Sequence, residues 1–289
     1  MGLDTFEDKV AVITGGGSGI GYALASALAE RGARLVLGDV QADALAAAVA
    51  SLEGTGADVI GVQGDVSSAE DVERLARTAM DRFGAIHLAV NNAGVGTGGP
   101  MWEIDLPTWE WVLGVDLWGV IHGVRTFTPL IIESGGGHIV NTASMAGLTS
   151  VPFMGPYNVA KHGVVTLSET LHHELAMLHP EVGVTVVCPG WVNTRIHESE
   201  RNRPEGIEAR IDLTAEAEPG APGAAMAAVV SDLISSGLDP ADVAEMVLDA
   251  VLEGKVYVLT HAGWSGAVTR RAELMVRGEA PELIFPTND

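Results

Sequence analysis

The chain has 289 residues, 47% of them hydrophobic and 19% charged, the balance of a globular protein with a substantial core and not of a disordered one. Sixteen Lys and Arg against 38 Asp and Glu leave a net charge of −22. A surface that negative repels phosphate backbones and anionic headgroups, so neither nucleic acid nor a membrane is an expected partner. Cys188 is the sole cysteine, which excludes an internal disulfide and a cysteine-built zinc site.

The opening MGLDTFEDKV has neither the basic start nor the apolar core of a secretory signal. The uncharged run 134–160 is interrupted by glycines, prolines, Asn141 and Asn158, so it does not suit a bilayer. A cytoplasmic protein is expected.

From the start, short β-branched runs alternate with Ala/Leu-rich stretches. KVAVIT (9–14), ARLVLGD (33–39), DVIGVQ (58–63), IHLAVNN (86–92), HIVNTAS (138–144) and GVTVVCP (183–189) read as buried strands. Helices are expected between them near 19–31, 43–53, 68–82, 108–133 and 157–178, with SSAED capping the third, and another over 239–253 after an Asp-Pro pair. Continuously apolar strands alternating with helices predict an α/β fold, a Rossmann-like doubly wound parallel sheet of about seven strands with helices on both faces. The rhythm breaks at 193–237, which is rich in Pro, Ala, Glu and Gly. That stretch is expected to be a substrate lid on an otherwise single domain over 1–289.

TGGGSGIG (14–21) follows the first strand and opens the first helix, the place of a phosphate-binding loop. Glycines let backbone approach a pyrophosphate, and the N–H groups of the helix start favour an anion. No Lys-Ser/Thr pair follows the last glycine, which excludes a Walker-type loop. Asp39 ends the second strand, 18 residues after Gly21. A carboxylate there accepts from both hydroxyls of an adenosine ribose and repels a 2′-phosphate. Neither Ser18 nor Val40 supplies a cation for that phosphate, so NAD(H) is expected over NADP(H).

In GPYNVAKHG (155–163), Tyr157 and Lys161 stand one helical turn apart. The other tyrosines and lysines are only Tyr22, Tyr257, Lys9 and Lys255, so the spacing is expected by chance roughly 0.03 times. Ser144 lies thirteen residues upstream, at the end of the fifth strand. GDV (64–66), NNAG (91–94) and PGWVNT (189–194) end the third, fourth and sixth strands, where ligands of open α/β sheets bind.

Taken in this order, these motifs resemble the short-chain dehydrogenase/reductase family over roughly residues 7–195. The resemblance implies that Gly15, Ser18, Gly19, Ile20 and Gly21 lie at the pyrophosphate and Asp39 at the ribose. Asp65 and Val66 would flank the adenine, with Asn92, Ala93 and Gly94 along the adenosine. The turn at Pro189 and Gly190 would place the Val192 backbone and the Thr194 side chain on the nicotinamide carboxamide. Ser144, Tyr157 and Lys161 would be catalytic: Ser144 holds the substrate oxygen, Tyr157 moves its proton, and Lys161 favours the phenolate while bonding the nicotinamide ribose. A free tyrosine, with a pKa of about 10, is otherwise a poor base at neutral pH.

One position departs from the family pattern. Where the family usually has an asparagine as a fourth catalytic member, supporting through its backbone carbonyl a bound water that links the lysine to solvent, GVDLWG places Asp116. The resemblance implies that its carbonyl takes the same catalytic role. A carboxylate there is expected to act on Lys161 and so to weaken its push on Tyr157.

The implied activity is NAD-dependent interconversion of a hydrophobic secondary alcohol and its ketone. Trp191, with Val95, Met145 and Met154, is expected to form the apolar substrate surface. Two other readings are weighed. One is 3-oxoacyl-carrier-protein reduction, disfavoured by Asp39 and by the lack of a basic docking patch for an acidic carrier. The other is a non-catalytic NAD-binding sensor or scaffold, against which the Ser144–Tyr157–Lys161 set argues. HELAMLH (173–179) spaces its histidines six apart rather than the four of a metalloprotease helix, and no metal is expected. The family implies a homo-oligomer, a tetramer or dimer, through the helices at 108–133 and 157–178.

Overall fold

The structure is a computed structural model that describes residues 3–207 and 222–283. Seven parallel strands form one sheet: β1 (Val10–Thr14), β2 (Arg34–Asp39), β3 (Val59–Gln63), β4 (Leu88–Asn91), β5 (Gly137–Thr142), β6 (Val182–Cys188) and β7 (Tyr257–Leu259). Their order is β3-β2-β1-β4-β5-β6-β7, the doubly wound arrangement expected. Successive side chains of a strand point to opposite faces, so Ala11 and Ile13 enter one core while Val12 enters the other.

The first core lies under α1 (Gly19–Glu30), α2 (Ala42–Glu53) and α8 (Pro240–Glu253), where Leu24, Leu28, Leu45, Val247 and Val251 cover the sheet. The opposite core lies under α3 (Ala69–Phe83), α5 (Gly119–Glu133) and α6 (Gly155–Leu178), through Val72, Leu75, Phe127, Ile131 and Leu171. The cap of α3 forms as its sequence predicts, with the Ser68 hydroxyl accepting from the Asp71 N–H at 3.3 Å.

Three features differ from the expected elements. The helix expected at 108–133 begins as α4 (Leu106–Leu113), capped by the Asp105 carboxylate on the Thr108 N–H. It then widens into a π-helical turn over Gly114–Trp118, with Asp116 inside it, before continuing as α5. Such turns interrupt α-helices mostly at functional sites. A short strand, β7, and a last helix, α9 (Ser265–Arg277), complete the far edge. Of the stretch 193–237, residues 208–221 lie outside the described residues. Its described parts are tight turns over Ile196–Asn202 and the helix α7 (Pro222–Ser235).

A buried polar chain sets α6 against the sheet. Asn91 Nδ2 donates to Asn141 Oδ1 at 2.9 Å, Asn141 Nδ2 to Ser168 Oγ at 3.0 Å, and Ser168 Oγ to Val164 O at 2.7 Å. Strands β4 and β5 thereby hold the helix that carries Tyr157 and Lys161.

Candidate active site

Strand order reverses between β1 and β4, where open α/β sheets form their ligand crevice. A cleft opens there, running from Asp39 at one end to Trp264 at the other. All of the expected cofactor residues line it except Gly21, which stands behind the loop.

Gly15 has φ +65°, and a Cβ on it would lie 2.9 Å from Ala93 Cα. A Cβ on Gly21 would lie 2.1 Å from the Gly15 carbonyl oxygen, so only glycine lets α1 begin this close to the loop. Ser18 precedes α1 in extended conformation, and its hydroxyl makes no capping bond, which leaves it available to an anion at the helix start. The Asp39 carboxylate is fixed from both sides: Oδ2 accepts from the Gly17 N–H and Oδ1 from the Gln41 N–H, each at 2.9 Å. Asp65 is held similarly, accepting from the Ser67 N–H at 2.9 Å and donating its own N–H to Asp71. That bond is the first cause of the lowered Asp71 pKa. At the ends of β1, β4 and β5, the Asn92 side chain donates to Thr14 O at 3.1 Å and accepts from the Thr142 hydroxyl at 3.3 Å.

On the other wall, Val192 pairs with Leu238 as an isolated parallel bridge. The bonds of that bridge run from the Leu238 N–H to Trp191 O and from the Asn193 N–H to Leu238 O. The N–H and C=O of Val192 itself therefore remain unpaired among the described residues, a donor–acceptor couple suited to a carboxamide. Thr194 stands across the cleft against Gly19, with 3.2 Å between its Cγ2 and the place of a Gly19 Cβ.

Ser144, Tyr157 and Lys161 all line the cleft. Ser144 Oγ accepts from the Ala146 N–H at 3.1 Å and donates to Pro189 O at 3.4 Å. Lys161 is buried, donates to Thr142 O at 3.1 Å, and places its ammonium 5.5 Å from the centre of the Tyr157 ring. Asp116 does not reach the cleft. Fully buried, it accepts from the Val95 N–H through Oδ1 at 2.7 Å and faces the Lys161 ammonium through Oδ2 at 3.8 Å.

Burial dominates the electrostatics. It pushes the Asp116 carboxyl up to about 6, against the opposing pull of Lys161 and of the Val95 N–H. The Tyr157 phenol is pushed above its ordinary value, first by burial and second by Asp116, with the Ser144 hydroxyl acting the other way. The weakening expected from Asp116 is thus directed at the phenol itself, beside the pair it forms with Lys161.

The sequence profile described as short chain dehydrogenase matches residues 9–205, about two thirds of the chain. The chain belongs to the short-chain dehydrogenase/reductase family. It is similar in structure to a short-chain dehydrogenase/reductase from Burkholderia phymatum in complex with NAD, with TM-score 0.92, 43% identity, and 99% and 100% of the two chains covered. In sequence it is 30% identical to a CLA biosynthesis dehydrogenase/reductase from Lactiplantibacillus plantarum, over 97% of this chain and 98% of the relative. It is 36% identical to a cyclohexanol dehydrogenase from an Acinetobacter species, over 65% and 75%.

Beyond the residues the family motifs mark, the cleft holds others with no short-range signal. Its apolar half carries the expected Val95, Met145, Met154 and Trp191, but also Val230 and Ile234 of α7 and Trp264 next to α9. Trp264 lies edge-on to Trp191, with ring centres 6.1 Å apart. The turns at Ile196–Asn202 cross the cleft as a strap, fastened by the Gly96 N–H to Ser199 Oγ at 2.9 Å and by Gln41 Nε2 to Asn202 Oδ1 at 2.7 Å. Beyond it, the Arg203 guanidinium stacks on Trp111 at 4.6 Å, donates to the Thr108 hydroxyl at 2.9 Å and pairs with Glu200.

Proposed function

We propose that this short-chain dehydrogenase/reductase is an NAD(H)-dependent enzyme interconverting a hydrophobic secondary alcohol and its ketone, with Tyr157 as the general base and acid. One observation carries the reading: Tyr157 is buried between the Ser144 hydroxyl and the Lys161 ammonium, inside a cleft whose far end presents the fixed Asp39 carboxylate. The residues fit NAD by their own chemistry. The loop is too tight at Gly21 for any side chain, the Ser18 hydroxyl and the Val192 peptide groups lack partners among the described residues, and Asp39 suits a ribose diol. The NAD complex of the Burkholderia relative supports the same choice.

When bound, NAD supplies the acceptor for the hydride that leaves the carbinol carbon. The remaining work falls to the protein. Ser144 Oγ, oriented by the Ala146 N–H, holds the substrate oxygen. Tyr157 as phenolate takes the hydroxyl proton during oxidation and returns it during reduction. Lys161, steadied on Thr142 O, stabilises the phenolate. The indoles of Trp191 and Trp264 and the side chains of Val230 and Ile234 exclude water from an apolar substrate, a role in keeping with a lid on a single domain. The exposed Trp118 and Val159, on the two helices the family uses for assembly, support a homo-oligomer.

The test is NADH formation from a panel of secondary alcohols at alkaline pH, wild type beside Tyr157→Phe. Turnover by wild type alone, with NADH binding retained by both, is the expected result. Binding without turnover of any alcohol or ketone would instead favour the sensor reading.

A further inference from the structure

The strap raises a question of charge. A dinucleotide carries an anionic pyrophosphate, whereas this chain has a net charge of −22 and sets the carboxylates of Asp39 and Asp65 at the adenosine end of the cleft. Backbone N–H groups at the glycine loop offset part of that repulsion. Among the described residues, the full cations lining the cleft apart from buried Lys161 are Arg195, just before the strap, and Arg201 within it. Arg195 is already neutralised by Glu198, with 2.6 Å from its Nε to the carboxylate.

Arg201 is not paired in this way. Its Nη1 donates to two carbonyls of its own turn, Arg195 O at 2.6 Å and Glu198 O at 2.9 Å. Those bonds fix the guanidinium plane and occupy two of its five N–H donors. Among the described residues, the Nε and Nη2 donors have no hydrogen-bond partner and no carboxylate lies within ion-pair distance. The side chain next in sequence, Asn202, is tied to Gln41, two residues beyond Asp39. The strap therefore delivers an oriented, unpaired guanidinium to the end of the cleft where Asp39 and Ser18 stand. Burial and the neighbouring Arg195 lower the Arg201 pKa, with Glu198 and Asp39 acting the other way.

We infer that Arg201 is a cofactor-binding residue that closes the strap onto the pyrophosphate from the side opposite the glycine loop. A planar guanidinium with free donors matches two phosphate oxygens. The inference rests on the NAD reading above and extends it: a residue outside every nucleotide motif of the family holds the cofactor, and the cofactor in turn holds the strap.

NADH binding followed by fluorescence separates the two. Wild type, Arg201→Gln and Arg201→Lys are titrated with NADH, and with reduced nicotinamide riboside, at low and high salt. Arg201→Gln should bind NADH roughly tenfold more weakly and lose less affinity when salt is raised, with Arg201→Lys in between. Reduced nicotinamide riboside, which lacks both phosphates and the adenosine, should be affected far less. Equal affinity and equal salt dependence in wild type and Arg201→Gln would overturn the role of Arg201 while leaving the NAD reading intact. So would an equal loss for both ligands. Failure of wild type itself to bind NADH would overturn the NAD reading.

Discussion

Asp116→Asn isolates the electrostatics of the proposed base. An ammonium 5.5 Å from the Tyr157 ring centre favours the phenolate by about 3 kcal/mol at an effective dielectric of ~20, or about two pKa units, if nothing opposes it. The Asp116 carboxylate, 3.8 Å from that ammonium, does oppose it, and after burial it is the largest cause of the raised phenol pKa. Its own carboxyl is raised to about 6, so its negative charge is present from neutral pH upward and is lost below that. Asparagine keeps an acceptor for the Val95 N–H and removes the charge. The phenol pKa should then fall by about one unit, half of the unopposed effect of the ammonium. Oxidation needs the phenolate, so the rise of kcat with pH moves to lower pH by that amount. At a fixed pH below the midpoint, the rate increases up to about tenfold. Reduction needs the phenol, and its alkaline decline should begin correspondingly earlier. The assay is kcat in both directions from about pH 6 to about pH 10, with saturating cofactor and substrate. Unchanged NADH affinity would show that Lys161, still bonded to Thr142 O, has kept its place. Superimposable profiles, or a shift to higher pH, would refute the coupling.

Cofactor choice follows from Asp39. Removing its carboxylate and adding a cation beside it, Asp39→Ala with Val40→Arg, should reverse the preference from NAD to NADP in kcat/KM; unchanged selectivity would remove Asp39 from the ribose. Gly21→Ala puts a methyl 2.1 Å from the Gly15 carbonyl oxygen, which forces the loop and the start of α1 apart. NADH affinity should fall at least tenfold while thermal unfolding shows a folded protein, since 1.4 kcal/mol of lost binding already gives that factor. Wild-type affinity in this variant would show that the loop is not what holds the cofactor.

Strands β1, β2, β4, β5 and β6 were legible because a parallel strand buried on both faces reads as a continuous apolar run; β3, expected to be buried, is at the sheet edge and only half-buried. β7 was not legible, because its apolar run VYVL (256–259) is short: the strand is three residues long, and its first, Tyr257, is 45% exposed. The π-helical turn left no trace in the apolar periodicity, which passes through GVDLWG unbroken, yet it surrounds the one residue that departs from the family pattern. The glycine loop, Asp39 and the Ser144–Tyr157–Lys161 set were legible because short-range spacing places each at the end of a strand. The strap was not. Ser199 meets Gly96, Asn202 meets Gln41 and Arg203 meets Trp111 across about a hundred residues or more, and nothing in HESERNR announces those partners. For the same reason the tryptophan next to α9 could not be assigned to the cleft, which it enters only because β7 extends the sheet beside β6.

Whether Tyr157 moves the proton of an alcohol whose hydride leaves for NAD is decided by one paired measurement on Tyr157→Phe. NADH binding is titrated by fluorescence, and NADH formation is followed with an alcohol that wild type oxidises. Phenylalanine keeps the ring packed in α6 and removes only the hydroxyl. NADH affinity should stay within about twofold of wild type while kcat falls by at least a hundredfold, the lower range of what a general base contributes. Turnover within a few-fold of wild type in a variant that still binds NADH would contradict that role for Tyr157.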